Sequence, residues 1–173
     1  DAERALRKSE QRFRSYFDLG LVGMAISEAG KHLSEVNDRL CEIVGYTRAE
    51  LDNLEWSELT HPDDLAAELA HFSRVLAGEA DGYSMEKRLV HRDGHPVPVR
   101  IAVRCLRKAN GAVDYFVGLV DDLTERKQTE QRLTATFTQA AVGMLTSTLQ
   151  LQILEANPCF AAMLGYRPDE LLG

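Results

Sequence analysis

The chain has 173 residues, of which 45% are hydrophobic and 27% charged, a balance that permits a packed core and excludes a wholly disordered protein. Its formal net charge of −7 argues against a general nucleic-acid binder, which needs a basic surface to neutralise phosphates. Its apolar runs stay well short of the roughly 18 residues that span a bilayer, so we expect no membrane contact and a cytoplasmic location.

The first sixty residues predict one helix, two strands and several short helices. The apolar residues of the first helix recur near heptad spacing, at Ala2, Leu6, Phe13 and Phe17. Asn37 and Thr47 are typical N-cap residues, and Gly45 is a typical helix stop. The predicted bounds are 2–18 for the first helix, 22–27 and 32–36 for strands around a turn at 28–31, and 38–44 and 56–59 for short helices.

The second part of the chain predicts a long helix and three longer strands. The helix, over 62–76, carries an apolar stripe of Leu65, Leu69, Phe72 and Leu76. Strands are expected over 83–92, 96–108 and 113–120, joined by hairpin turns at Asp93-Gly94 and Asn110-Gly111. The last strand is apolar on both faces, so it needs a cover on both: the long helix on one side, and a terminal helix or a partner subunit on the other.

This order predicts an α+β domain built on a five-stranded antiparallel sheet with short helices on one face. Flanking helices lie at its N-terminal and C-terminal ends. We divide the chain into an N-terminal helix over 1–18, a complete domain over 19–124, a linker helix over 125–140 and the truncated start of a second domain over 141–173.

The second domain is indicated by an internal repeat. A shift of 120 positions places residues 10–53 on 130–173 without a gap, with identical residues at 14 of the 44 positions. Average composition would give roughly three. The repeated residues include Val22-Gly23-Met24, Asn37 and Gly45-Tyr46. Because the second copy stops early, we expect this chain to be part of a longer protein.

Several short motifs follow one another along the chain: Val22-Gly23-Met24, Glu35-Val36-Asn37, Gly45-Tyr46, His61-Pro62-Asp63-Asp64, Glu86-Lys87-Arg88-Leu89, Arg92-Asp93-Gly94 and an exit signature over 118–127. Taken in this order, they resemble a PAS domain with its C-terminal PAC motif over residues 13–127. Residues 137–173 resemble the start of another copy.

This resemblance implies a small cavity between one face of the sheet and the long helix. It also implies homodimerisation through the flanking helices, and neighbouring PAS and output domains of a histidine kinase, diguanylate cyclase or phosphodiesterase. An unidentified small molecule is the expected ligand. The candidate cavity residues are Met24, Leu69, Phe72, Leu76, Val99, Ile101 and Val117.

We expect no cofactor, no metal and no catalysis in this chain. Light-sensing relatives place a reactive cysteine directly after the Asn that follows the second strand, where this chain has Asp38. His71, the candidate haem ligand on the long helix, falls at the edge of the apolar stripe or outside it. His61 is expected to cap backbone or tether its loop, and His91 and His95 to lie exposed beside a hairpin turn.

Three widely and irregularly spaced cysteines, Cys41, Cys105 and Cys159, do not suit a disulfide framework or a zinc site. Neighbouring carboxylates, as in Asp63-Asp64 and Asp121-Asp122, do not face one substrate, so capping and ion pairing explain them better than catalysis.

Signal relay is the function that the residues support best. Asp122, Leu123 and Thr124 join the last strand to the linker helix, and Asp122 or Thr124 can cap that helix. Glu125 and Arg126 are expected to pair with the charged sheet edge, for instance Glu125 with Arg88 or Lys87. The sequence thus predicts a sensory, relay and dimerisation module, with a ligand-free dimerisation scaffold and a haem-based sensor as alternatives.

Overall fold

A computed structural model of the protein describes residues 2–28 and 30–171, and of Ala2 only the backbone. Ala29, in the predicted turn at 28–31, and the last two residues of the predicted second domain lie outside the described residues. The chain divides into two compact units, Asp1–Thr124 and Glu125–Gly173.

The first unit contains five helices and five strands among its described residues. In chain order they are α1 (Ala2–Asp18), β1 (Gly23–Glu28), β2 (Leu33–Val36), α2 (Asp38–Val44), α3 (Arg48–Leu51), α4 (Trp56–Leu59), α5 (Pro62–Leu76), β3 (Gly82–Val90), β4 (Pro96–Arg107) and β5 (Val113–Asp122). The next helix is α6 (Thr124–Gln139). The second unit then has β6 (Leu145–Ser147), β7 (Ile153–Ala156), α7 (Pro158–Leu164) and a 3₁₀ turn (Pro168–Leu171).

The five strands form one antiparallel sheet in the order β2-β1-β5-β4-β3, which confirms the predicted α+β fold. The central strand β5 therefore lies between β1 and β4. Its register aligns Gly118 with Ala25 on β1 and with Val103 on β4, and Val103 in turn with Tyr83 on β3. Because side chains alternate between faces, this row of four residues presents one face of the sheet to the helices.

Asn37 holds three elements together at the start of α2. Its Oδ1 accepts the N–H groups of Met24 (2.8 Å) and Leu40 (3.0 Å), and its Nδ2 donates to the carbonyls of Phe17 (2.8 Å) and Val22 (3.0 Å). The side chain is fully buried. Asn37 is thus the predicted N-cap, and it also anchors the end of α1 to β1.

Other predicted caps are confirmed nearby. Thr47 and Glu50 form a reciprocal capping box at α3, and Gly45 ends α2 in the left-handed conformation with φ 74°.

Gly23 of β1 is required for close packing, since a Cβ there would lie only 3.2 Å from the Cα of Leu40. The glycine lets β1 approach α2 closely.

The second unit repeats this local arrangement. Strands β6 and β7 pair antiparallel, with a register irregularity at Thr146/Ser147 that matches the one at Ile26/Ser27. Asn157 makes the four hydrogen bonds that Asn37 makes, with Met144, Phe160, Phe137 and Val142 at 2.9–3.0 Å. The end of α6 is therefore held in the second unit as the end of α1 is held in the first.

The inward face of α5 differs from the predicted stripe. Glu68, Phe72 and Val75 are buried, whereas Leu76 is 43% exposed. The predicted stripe omitted Glu68 because this residue is charged, and it wrongly included the exposed Leu76. In the structure Lys87 neutralises Glu68, so the helix can turn that side toward the sheet.

The core has two adjoining parts. The larger lies between the sheet and helices α2, α3 and α4, with Val44, Leu51 and Val99 fully buried. The smaller packs Phe72 of α5 against Trp56 and Phe116, with ring centroids 5.1 Å apart in both contacts. These aromatic contacts hold α4 and α5 over the sheet.

Candidate functional site

A cavity of about 80 Å³ lies between the inner face of the sheet and helices α2, α4 and α5. The sheet contributes Ala25, Ser27, Ile101, Val103, Gly118 and Val120, and the helices contribute Leu40, Trp56, Leu59 and Phe72. Gly118 and Ala25 leave the space open because they have little or no side chain at the centre of the sheet. The volume is roughly half that of an engineered cavity that holds benzene, so it suits a compact molecule and is far too small for a flavin or a haem.

One wall of this apolar cavity carries a buried ion pair. The Nζ of Lys87 donates to both carboxylate oxygens of Glu68 at 2.6 Å, and the two side chains are 4% and 3% exposed. Thr60 lies between them: its hydroxyl accepts from Lys87 and donates to Glu68, both at 2.8 Å. The Tyr83 hydroxyl also donates to Glu68, at 3.5 Å.

This environment shifts two pKa values in opposite directions. Burial lowers the pKa of Lys87, although the Glu68 carboxylate opposes the shift. Burial and then the negative charge of Glu68 raise the pKa of Tyr83, so its hydroxyl stays protonated and able to donate. The cavity therefore offers a ligand mostly apolar contacts plus one polar wall whose hydrogen bonds are already satisfied within the protein.

The structure separates the seven candidate cavity residues. Phe72 and Ile101 line the cavity. Val99 lies in the same core but does not reach the cavity surface, while Leu69 is half-buried and Leu76 exposed on α5. The remaining two, Met24 and Val117, lie on the opposite face of the sheet, because each is one strand position away from an inward-facing residue.

Met24 and Val117 line a groove on the outer face of the sheet. The other apolar residues of this outer groove are Phe13, Phe17, Ile26 and Tyr115. Phe17 of α1 is buried, and its ring stacks on Phe13 at 5.5 Å. This part of α1 supplies the second cover that the doubly apolar strand β5 requires.

The junction between β5 and α6 is built from three consecutive residues. Asp122 Oδ1 accepts the backbone N–H of Thr124 at 2.9 Å, which caps the start of α6. Leu123 is buried, and its N–H donates to the carbonyl of Pro98 on β4 at 2.9 Å. The sequence does not predict this anchor, although a lone leucine within a charged stretch was a signal for it.

The partners expected for the relay residues need correction. Lys87 binds Glu68, and Arg88 binds Asp64 of α5 at 2.8 Å, so both cations proposed for Glu125 are paired within the domain. Arg126 pairs along its own helix with Glu130, at 3.1 Å. The acids of α5 are favoured because α5 packs directly against β3.

His61, His71 and the three cysteines take ordinary structural positions. His61 caps α5 as predicted, with its Nδ1 accepting the N–H of Asp63 at 3.4 Å. His71 stacks on Tyr83 with ring centroids 5.5 Å apart, a contact that the helix pattern did not indicate. Cys41, Cys105 and Cys159 are unpaired.

Comparison with known protein families decides what this fold is. Residues 33–120, half of the chain, match the family model described as PAS fold. The chain belongs to the PAS family. A second model, described as PAS domain, matches residues 131–173, so a PAS domain is followed by the start of another.

The PAS chain is similar to segments of much longer signalling proteins. It is 36% identical over 126 residues to the probable diguanylate cyclase DgcE of Escherichia coli, covering 73% of this chain and 11% of that protein. It is 23% identical over 129 residues to the sensor histidine kinase TmoS of Ectopseudomonas mendocina, covering 75% and 13%. The chain thus spans about a tenth of the length of these relatives.

Solved structures show the same fold. A domain of a sensory box sensor histidine kinase/response regulator from Geobacter sulfurreducens superposes with a TM-score of 0.57 at 25% identity, covering 68% of this chain and 96% of that one. The LOV protein of Rhodobacter sphaeroides has a TM-score of 0.60 at 18% identity, covering 75% and 74%, a likeness of fold alone. The family models and the more similar relatives are PAS domains of sensor proteins, so this PAS chain is a sensory signalling module.

Within residues 2–28 and 30–171, the helices are all too short or too polar to cross a membrane.

Proposed function

We propose that this PAS chain senses a small molecule and relays its binding through α6 to output domains of a histidine kinase or a cyclic-di-GMP enzyme. One observation carries the proposal. Strand β5 lines the cavity with Phe116, Gly118 and Val120, and it continues through Leu123 directly into α6. A shift of β5 on ligand binding would therefore change the start of the linker helix.

The far end of α6 supports the same proposal. Asn157 of the second repeat donates to the carbonyl of Phe137 at 3.0 Å, near the end of the helix. The helix therefore has a polar anchor at each end, Asp122 at its start and Asn157 at its end. A rigid element with two such anchors can transmit a tilt or rotation to the next domain.

Removing the first anchor tests the relay. We expect Asp122→Ala to cost about 0.5–2 kcal/mol of local stability, and in the longer signalling protein to make the output insensitive to the input while the domain stays folded. Thr124→Ala is the matched control, because Thr124 is bound through its backbone N–H and loses only a hydroxyl. Thermal unfolding of this chain and the output activity of the longer protein are the two measurements.

The relay assignment is wrong if Asp122→Ala destabilises the chain but leaves regulation of the output unchanged. A loss of regulation by Thr124→Ala equal to that of Asp122→Ala would also contradict it, since the cap would then not be the cause.

The proposed ligand is a compact, largely apolar molecule. A substitution whose side chain fills the cavity should therefore prevent the ligand from binding. We expect native mass spectrometry of the purified chain to detect a bound small molecule that Gly118→Leu loses and Val117→Leu keeps. Gly118 has room for a Cβ, whose nearest heavy-atom neighbour would be the Ala25 carbonyl oxygen at 3.9 Å, so the variant should fold. Val117, the adjacent residue, points into the outer groove instead.

A wild-type chain that carries no small molecule, or a molecule that Gly118→Leu retains, would contradict the ligand proposal. The first result would favour a ligand-free dimerisation scaffold.

We further propose that the chain forms a homodimer through α1, in keeping with the outer groove. Leu6 and Tyr16 of α1 are 61% and 74% exposed, and Phe13 lies at the edge of the groove. Exposed apolar residues clustered on one helix are typical of an interaction surface. Under the 120-position shift of the repeat, Leu133 of the linker helix α6 corresponds to Phe13, and it is 67% exposed.

Light scattering tests the dimer. We expect a dimer at micromolar concentration for the wild type and a monomer for Leu6→Glu with Phe13→Glu. Leu149→Glu, at a leucine that is 97% exposed in the second unit, should remain dimeric. A monomeric wild type, or a double variant that stays dimeric, would refute an interface on α1.

The cytoplasm is the location we propose for this module. The three unpaired cysteines support it, because free thiols are typical of reducing compartments.

A further inference from the structure

The hairpin between β3 and β4 places two histidines opposite each other at its tip. The backbone N–H of His91 donates to the backbone carbonyl of His95 at 2.9 Å, and the backbone N–H of Gly94 donates to the carbonyl of His91 at 2.8 Å. Gly94 takes the φ of 94° that this tight turn requires. The two imidazole rings consequently stack, with centroids 4.4 Å apart and planes 24° from parallel.

A carboxylate of the same turn faces both rings. Asp93 Oδ1 lies 3.0 Å from His91 Nδ1, and it is also hydrogen-bonded to His95 Nδ1. One ligand atom from each of the three residues lies within 4.8 Å of the other two.

His91 is held in position by its contact with the end of α2. Its ring packs on Gly45, where a Cβ would lie only 2.2 Å from His91 Nε2. The next residue, Arg92, donates its N–H to the carbonyl of Val44 at 2.9 Å, and its guanidinium pairs with Glu50 at 2.9 Å. The hairpin tip is therefore anchored to the end of α2, and the arginine charge is neutralised by an acid outside the cluster.

Although the sequence alone predicts no metal site, we propose that His91, Asp93 and His95 form a binding site for a divalent transition metal ion. Two imidazole nitrogens and one carboxylate oxygen are a donor set that zinc, nickel, cobalt and copper accept, whereas calcium and magnesium prefer oxygen ligands alone. Because His95 and Asp93 are exposed, the remaining coordination positions of the ion are open to water or to an external ligand.

Titration of the untagged 173-residue chain with zinc chloride in a calorimeter tests the site. We expect one zinc ion per chain, and a rise in the melting temperature with excess zinc, because binding to the folded state alone stabilises it. His95→Gln and Asp93→Asn should each weaken zinc binding by about tenfold or more, since a ligand is lost from a site with only three. His71→Gln is the matched control and should bind zinc as the wild type does.

Two measurements keep the result interpretable. Circular dichroism should show native folding for His95→Gln and Asp93→Asn, because both side chains are exposed on a surface turn. Cobalt bound to the wild type should give visible bands without the near-ultraviolet absorption of a thiolate ligand. The proposal is overturned if the chain binds no zinc, if both variants bind zinc as well as the wild type does, or if cobalt reports cysteine ligation.

Discussion

Lys87→Met is expected to lower the free energy of unfolding by about 3–5 kcal/mol. The substitution leaves the Glu68 carboxylate, which is 3% exposed, without its counter-ion, while Thr60 and Tyr83 still donate to it. A buried charge without a partner is strongly destabilising, whereas the intact pair contributes little net stability. Equilibrium urea unfolding followed by circular dichroism measures the change.

Two further variants separate the buried charge from the loss of packing. Removing both charges, by Lys87→Met with Glu68→Leu, should cost less than Lys87→Met alone, because no unpaired charge remains. Arg100→Met, which removes a surface partner of Glu86 on the same two strands, should change stability by at most about 1 kcal/mol. If Lys87→Met costs no more than Arg100→Met, the pair is solvated and the cavity has no buried polar wall.

Asn37→Ala is expected to destabilise the first unit by more than about 3 kcal/mol. The substitution removes four hydrogen bonds at once: it leaves the buried Phe17 carbonyl and Leu40 N–H, and the part-buried Met24 N–H and Val22 carbonyl, without this partner. Each buried polar group left unsatisfied costs about 1–3 kcal/mol, and the lost N-cap adds to that sum. Thermal and urea unfolding measure the effect.

Asn53→Ala is the matched control, because the Asn53 amide is exposed and donates only to the carbonyl of Ala49. It should cost no more than about 0.5–1 kcal/mol. Asn37→Asp tests the two donors separately: it keeps the acceptor oxygen but faces the carbonyls of Phe17 and Val22 with a second oxygen. Equal losses for Asn37→Ala and Asn53→Ala would show that the four-bond network adds nothing to stability.

The repeat explains why the role of Asn37 could be anticipated from sequence. Asn37 and Asn157 each follow a short strand and precede a short helix, which is sufficient to predict an N-cap. The same local signals correctly predict the Thr47 N-cap, the Gly45 helix stop and the tight turns at Gly94 and Gly111. All of these depend on residues within a few positions of one another, so they can be inferred without knowing the tertiary fold.

The inner and outer faces of the sheet were only half predictable. Alternation along each strand separates Met24 from Ala25 and Val117 from Gly118, but alternation does not show which set faces the cavity. The apolar cover decided this point: α5 and Trp56 pack on the Gly118 side, and Phe17 of α1 covers the other.

The amino-acid sequence by itself therefore determined the family, the order of the elements, their caps and their turns. Tertiary structure alone decided that Glu68 faces the sheet and that it pairs with Lys87, which is 19 residues away. It also decided that the rings of His91 and His95 stack beside Asp93. The physical reason is that a charged residue is predicted to face solvent unless a buried counter-ion is known. The partner of Glu68 lies on a strand whose distance from α5 is set by packing of the whole domain.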